Sequence, residues 1–404
     1  TSRSPAWRAP TELLPAVCGV LLMVTDASVK GRELLPQYLR EHVSAATQYF
    51  VLPQPLLLEC GRTLERITVA YRTWGNPRNA ADNAILICHA LTGSADVDAW
   101  WPGIISPDGA FDPETDFVVC SNILGSCYGT TGPASLKNGG GERWRADFPR
   151  ITVRDMVNVQ RALIDHLGIE RLALITGPSL GGMQALEWAL MYPERVDSIV
   201  PIGVGGRHSA WCIAMSEAQR HAIYADPDWN DGNYSEERMP EKGLAAARMM
   251  AICTYRSWHS FDGRFCRNEQ DSGEFQVQSY LRYQGEKINR RFDANTYVRL
   301  TQAMNDFDIS RGRGNYLSVI RSMRQPALVV SVSSDILYPP HEQQLLSQNM
   351  PNARHALLQS PDGHDGFLIE CRELGSLISK FRERRSAGQA VRPERRSIVS
   401  AIAE

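Results

Sequence analysis

The segment "LALITGPSLGGMQALEWA", Leu172 to Ala189, changes period at one corner and constrains the fold more than any other stretch. Up to Thr176 it is a short apolar run of the kind a buried strand makes, and from Leu180 onward it consists of good helix formers with no further proline. The corner is Gly177-Pro178-Ser179-Leu180-Gly181. In a G-x-S-x-G turn the flanking glycines let strand and helix approach without Cβ clashes, and the serine Oγ stands exposed above the C-terminal edge of the sheet. Ser179 is therefore the candidate nucleophile, and the backbone N–H of Leu180 a candidate oxyanion donor. Five residues alone are a weak signal, and a plain structural turn is the alternative. The strand before and helix after give the pattern its weight.

A serine hydroxyl needs a base, and the base an orienting acid. In a strand-turn-helix setting of this kind the partners follow in the order Ser, Asp, His, each on a loop leaving a strand. Asp335 ends the apolar run "ALVVSVSSD", with a turn or helix-capping role as its alternative and Asp362 and Asp365 as local rivals. His364 lies in "SPDGHDGF", a glycine-flanked loop past the last strand signal, where no other of the nine histidines falls. The second oxyanion donor is expected from the loop after an early strand, "CHALTGS", with the N–H of Leu91 as candidate. His89 in that loop reads as structural, since the site already has its base.

Around this corner the chain alternates strands and helices. Strand-like runs stand at Arg66–Trp74, Ala84–Leu91, Phe117–Leu124, Leu172–Thr176 and Ser198–Val204, with a helical pattern over Arg154–Gly168. That rhythm argues an α/β fold with a mostly parallel sheet. It stops after Val204, and strands return only at Ala327–Asp335 and Arg354–Ser360. The expected organisation is an N-terminal extension over 1–48, a core of 49–204 and 323–385, a helical lid insertion over 205–322, and a basic tail over 386–404. Trp211, Trp229 and Trp258 in the lid read as core or interface residues.

The length of 404 residues admits one large domain with an insertion, or two domains. A net charge of -2 gives no reason to expect nucleic acid or a membrane surface as partner. Nine cysteines without C-x-x-C spacing imply neither a disulfide framework nor a zinc site, so no metal is expected and a reducing, cytoplasmic setting is. The run Leu13–Val24 is too short for a membrane span but has the size of a signal-peptide core, flanked by Arg3 and Arg8. The competing reading starts the protein at Met23.

Taken together, "CHALTGSADVDAWW", "CSNILGSCYGTTGPAS", "SLGGMQALEWA", "RHSAWCIAMSEAQRHAIYADP", "GLAAARMMAICTYRS", "FQVQSYLRYQGEKINRRFDANTY" and "GHDGFLIE" resemble the homoserine O-acetyltransferase family of α/β-hydrolase-fold acyltransferases. The resemblance runs from about Thr63 to Phe381 with the motifs in family order. It implies a ping-pong transfer through an acyl-Ser179, with acetyl-CoA or succinyl-CoA as acyl donor, no bound cofactor, and L-homoserine or L-serine as acceptor. It also implies that Arg248 binds the acceptor carboxylate, that Tyr255 lines the pocket, that Asp365 binds the amino group, and that the lid helices pair two copies as a homodimer. The helical spacing agrees. Seven residues are nearly two turns, which puts Arg248 and Tyr255 on one face about 10 Å apart along the axis. Pro178 departs from the Gly, Ala or Asn common before the nucleophile in relatives, and removes one backbone donor there. A simple esterase shares the triad but gives no reason for the lid motifs, and a non-catalytic scaffold gives none for an intact triad.

Overall fold

A computed structural model describes residues 31–386; the run Leu13–Val24, Met23, Cys18 and the tail beyond 386 lie outside the described residues. The strands are β1 (Gln48–Val51), β2 (Leu56–Leu57), β3 (Thr63–Leu64), β4 (Thr68–Trp74), β5 (Ala84–Ile87), β6 (Phe117–Ser121), β7 (Leu174–Pro178), β8 (Ile199–Ile202), β9 (Ala327–Val332) and β10 (Ala353–Leu358). Eight of them form one sheet in the order β1-β4-β6-β5-β7-β8-β9-β10, and β2 pairs with β3 as a separate ribbon. From β6 to β10 all neighbours are parallel; β4 meets both β1 and β6 antiparallel at the edge.

The parallel strands are apolar on both faces because both are covered. Period-two alternation divides their side chains between two cores. Leu86, Val119, Ile175, Ile199 and Val329 face one, and Ile85, Ile87, Val118, Leu174, Val200 and Val330 the other. Helices α1 (Val153–His166) and α2 (Leu180–Met191) cover the first face through Met156, Leu163, Met183 and Trp188. A capping box starts α1: the Thr152 hydroxyl accepts from the Asp155 N–H, and an Asp155 carboxylate oxygen accepts from the Thr152 N–H at 2.9 Å.

Between β8 and β9 come α3 (Ala210–Tyr224), α4 (Glu241–Tyr255), α5 (Trp258–Phe265), α6 (Gln276–Asn289), α7 (Ala294–Asn305) and α8 (Tyr316–Ser322). No named strand occurs among them, in keeping with the loss of alternation after Val204. Then α9 (Pro340–Asn349) connects β9 to β10, and α10 (Cys371–Ser386) closes the described chain, covering the second face through Leu374, Ile378 and Phe381.

Three expectations shift. Leu35, Leu39 and Val43 are buried in the first core and β1 joins the main sheet, so the folded unit reaches back into the stretch read as an extension over 1–48. Their spacing is diluted by Tyr38, Arg40, Glu41 and His42, which hides the apolar pattern. Trp211 and Trp258 are exposed, the latter 69%, and so are not core residues, whereas Trp229 packs between Tyr224 and Tyr234. The nucleophile strand begins and ends two residues later than the apolar run suggests, and includes Pro178.

Candidate active site

The position of Pro178 follows from the sheet. Ile175 donates to Ser198, just before β8, and Ser179 to Ile202 of β8, so by alternation the residue between Gly177 and Ser179 faces the β5 side, where β5 ends at Ile87. Cys88, just past β5, still donates to the Thr176 carbonyl at 2.8 Å, so the missing N–H of Pro178 falls where the β5–β7 pairing ends. The two glycines of the corner are required for a different reason: a Cβ on Gly177 would stand 2.3 Å from the Cys88 carbonyl oxygen, and one on Gly181 2.0 Å from it. The end of β5 therefore passes against the turn with no room for a side chain. Ser179 itself is held at φ 55°, ψ -121°, a conformation a non-glycine residue adopts only under constraint. It sits at the positive end of α2, where a developing negative charge is stabilised.

The structure brings Asp335 and His364 together. One Asp335 oxygen, Oδ2, lies 2.6 Å from His364 Nδ1, and the other accepts from the N–H groups of Leu337 and Tyr338 at 2.8 and 2.9 Å. One Asp335 oxygen thus serves the turn and the other faces the imidazole. The rivals are engaged elsewhere: Asp362 pairs with Arg256 at 2.8 Å and Ser260 at 2.6 Å, and Asp365 with Arg256 at 3.2 Å. His364 is enclosed by Tyr338, Phe367 and Tyr255, with ring centroids at 5.2, 5.1 and 5.9 Å. Its Nε2 is buried and has no hydrogen-bond partner among the described residues. Ser179, Asp335 and His364 are all buried.

The loop carrying Leu91 is fixed by His89. The ring Nδ1 donates to the Ala90 carbonyl at 2.8 Å, which leaves Nε2 to accept from the Ile123 N–H at 3.2 Å. Burial pulls the His89 pKa down to about 4, so the ring stays neutral and serves as a structural bridge. The amides of Leu91 and Leu180 donate to no acceptor among the described residues.

Arg248 and Tyr255 lie together on α4, the guanidinium 5.5 Å from the ring centre, and Arg248 Nη1 is buried without a partner. Tyr255 reaches His364, so this helix face is continuous with the Asp335–His364 pair. Burial pushes the Asp365 carboxyl up, opposed by Arg256 and Arg248. Arg256 escaped sequence reasoning. It stands inside the "CTYRS" motif, yet its partners lie more than a hundred residues away, and only the folded chain discloses that it ties the end of α4 to the His364 loop. Two further groups beneath the acid were also missed. The Tyr338 hydroxyl meets His208 Nδ1 at 2.9 Å, and Glu342 has a buried Oε2 without a partner. Burial, then the neighbouring Asp335, push Glu342 up to about 7. Burial pulls His208 down to about 3.

Two buried neutral histidines make stability pH-dependent. Their folded pKa values lie below the unfolded value of about 6.5, so the unfolded chain takes up protons first as pH falls. Between pH about 6.5 and about 4 each contributes a loss of about 1.4 kcal/mol per pH unit. Because Glu342, pushed up to about 7, contributes in the opposite direction, the test is the difference between proteins: in urea unfolding at pH 7.5, 6 and 5, His208→Gln is expected to lose one proton's worth of the acid-side fall in stability relative to the wild type; an unchanged slope in the variant contradicts the neutral buried ring.

A family model described as alpha/beta hydrolase fold matches residues 83–370. The homoserine O-acetyltransferase of Trichormus variabilis is 55% identical over 345 residues, covering 85% of this chain and 96% of that one. The chain belongs to the homoserine O-acetyltransferase family. Among solved structures, homoserine O-acetyltransferase from Bacillus anthracis is similar with a TM-score of 0.77 at 26% identity, over 84% of this chain and 97% of that one. Esterase E22 is similar with a TM-score of 0.76 at 27% identity, over 83% and 99%. The homoserine O-acetyltransferase family therefore shares its fold with an ester hydrolase, and the fold by itself does not separate transfer from hydrolysis. The 55% identity to a homoserine O-acetyltransferase, against 27% to the esterase, is what separates them. Among the described residues no group of three or more His, Cys, Asp or Glu could hold a metal ion, and no helix is long and apolar enough to cross a membrane.

Proposed function

We propose that the chain is an acyl-CoA:L-homoserine O-acetyltransferase that works through an acetyl-Ser179 intermediate. The observation that carries this reading is the Asp335–His364 pair, with the imidazole Nε2 buried and uncommitted, in a chain 55% identical to a homoserine O-acetyltransferase. In the first half-reaction Ser179 Oγ adds to the thioester carbonyl and its proton passes to His364 Nε2. The oxyanion is held by the N–H groups of Leu91 and Leu180. Collapse breaks the C–S bond, and His364 returns the proton to the CoA thiolate. In the second half the homoserine hydroxyl gives its proton to His364 Nε2 and attacks the acetyl carbonyl, and the proton returns to Ser179 as the ester leaves. Asp335 stays ionised throughout and fixes the imidazole tautomer.

Arg248, with a buried N–H to spare, suits the acceptor carboxylate, since a guanidinium fork matches it in shape and charge. Asp365, whose Oδ2 is partly offset by Arg256, suits the acceptor ammonium, and Tyr255 forms the wall between them and His364. The helices over 205–322 act as a lid that keeps water from the acetyl-serine. Exposed Trp211, Trp258 and Tyr283 on those helices suit pairing with a second copy. The free thiols, including exposed Cys60, Cys253 and Cys266, suit a cytoplasmic setting.

The test is CoA release with acetyl-CoA or succinyl-CoA against L-homoserine and L-serine, with products identified by mass. Acetyl-CoA with homoserine is expected to be the preferred pair; preference for serine or succinyl-CoA reassigns the substrate, and continued CoA release beyond one equivalent per enzyme without any acceptor makes the chain a hydrolase. Arg248→Ala is expected to raise the homoserine KM by about 30-fold or more, the equivalent of one charge-assisted contact, with acetylation of the enzyme unchanged. An unchanged KM removes Arg248 from the acceptor site.

A further inference from the structure

The loop that carries the Leu91 amide is anchored twice, and the second anchor comes from the lid. At its start His89 joins the Ala90 carbonyl to the Ile123 amide, and Gly93 N–H closes a turn onto the Ala90 carbonyl at 2.9 Å. At its exit Arg291, in the link between α6 and α7, donates from Nη1 to the Thr92 carbonyl at 2.9 Å, with Nη2 3.4 Å from the Thr92 hydroxyl. Leu91 lies between the two anchors.

The guanidinium is itself held. Arg291 Nη1 also donates to the Tyr128 hydroxyl at 2.9 Å, and that hydroxyl donates back to the Arg291 carbonyl at 2.7 Å. Tyr128 is buried, and its own carbonyl accepts from Asn122 at 2.9 Å, just past the end of β6. A second Asn122 bond runs to the Ala95 N–H at 2.9 Å, beyond the same loop. Arg291 thus closes a ring of hydrogen bonds from the sheet, through the lid, back to the loop. It forms no ion pair with a carboxylate among the described residues.

We infer that Arg291 is a positioning residue for the oxyanion site: by fixing the Thr92 carbonyl it holds the Leu91 N–H at the place where the tetrahedral oxygen forms. The inference rests on the proposed role of Leu91 in the acyl-serine mechanism. Its consequence is that a lid residue sets the rate of both half-reactions, since the same oxyanion forms in each. A guanidinium that instead bound the acceptor would affect only the second.

The experiment measures pre-steady-state acetylation of the enzyme by saturating acetyl-CoA, and then transfer to homoserine, in the wild type, Arg291→Ala, Arg291→Lys, Tyr128→Phe and Ser179→Ala. Loss of a whole oxyanion donor costs about 10²- to 10³-fold, so a donor left in place but loosened is expected to cost about 10- to 100-fold. Arg291→Ala should slow acetylation and transfer by the same factor in that range, with homoserine KM within about twofold of wild type and the pH profile of acetylation unmoved. Added guanidinium ion should restore part of the rate in Arg291→Ala and none in Ser179→Ala. Tyr128→Phe, which frees the guanidinium without removing it, should slow both steps about fivefold, the value of one hydrogen bond. If Arg291→Ala does not fold, Arg291→Lys and Tyr128→Phe carry the test. Wild-type acetylation in the folded Arg291 and Tyr128 variants, or a loss confined to homoserine KM, overturns the inference. If Ser179→Ala still acetylates, the acyl-serine reading itself has failed; if Ser179→Ala is inert while the Arg291 variants acetylate normally, only the positioning role has.

Discussion

Ser179→Ala is expected to fold normally, form no acetyl-enzyme and turn over at least about 10⁴-fold more slowly than the wild type. The size follows from the mechanism: a nucleophile that forms a covalent intermediate cannot be partly replaced, and what survives is the binding and oxyanion contribution alone. Folding is expected to persist because Ser179 makes no side-chain cap bond to α2, and its strained backbone is over-determined by Gly177, Gly181 and the Cys88 carbonyl. Alanine at φ 55° adds no atoms to that corner. Rapid-quench acetylation with circular dichroism on the same sample checks both halves of the expectation. A normal acetylation burst in Ser179→Ala would move the chemistry to another group.

Asp335→Asn is expected to cost about 10⁴-fold in kcat with little change in fold. The asparagine carbonyl can keep the two bonds from the Leu337 and Tyr338 amides, so the turn after β9 survives. The amide nitrogen then faces His364 Nδ1 and donates to it, which drives the imidazole proton to Nε2. That nitrogen can no longer take the Ser179 proton. Acetylation and transfer should fall together, and KM for homoserine should hold, since Arg248 and Asp365 are untouched. A loss under about tenfold would mean that Asp335 serves its turn and not the imidazole.

Much of this site was legible in the sequence because its parts are local. The glycine-flanked corner, the acid just past an apolar run and the histidine in a glycine-flanked loop each lie within a few residues of the signal that marks them. Chain order supplies the rest, since α/β architecture puts successive strand ends on one edge of the sheet. The shared face of Arg248 and Tyr255 was equally readable, because helical periodicity fixes it before any folding is known.

What stayed hidden depends on contacts between distant segments. Arg256 meets Asp362 across more than a hundred positions, and Arg291 meets Thr92 across nearly two hundred. No spacing rule reaches so far. Pro178 shows its place only in the sheet: it ends β7, past the Ile87–Thr176 pair where the β5 ladder stops. The edge strand β1 and the buried Leu35, Leu39 and Val43 were obscured by short length and interleaved polar residues, where periodicity has too few points to register.

The central claim is that an acetyl group passes from CoA to an amino-acid hydroxyl by way of Ser179. The most direct measurement is to mix the enzyme with acetyl-CoA alone, digest, and locate the added acetyl group by mass, then add L-homoserine to a parallel sample and follow that group. The account predicts one acetyl group on the peptide containing Ser179, stable while acceptor is absent and transferred to homoserine when it is added. An acetyl group lost to water at the same rate with or without homoserine, or product formed with no acetylated peptide at any time, would contradict it.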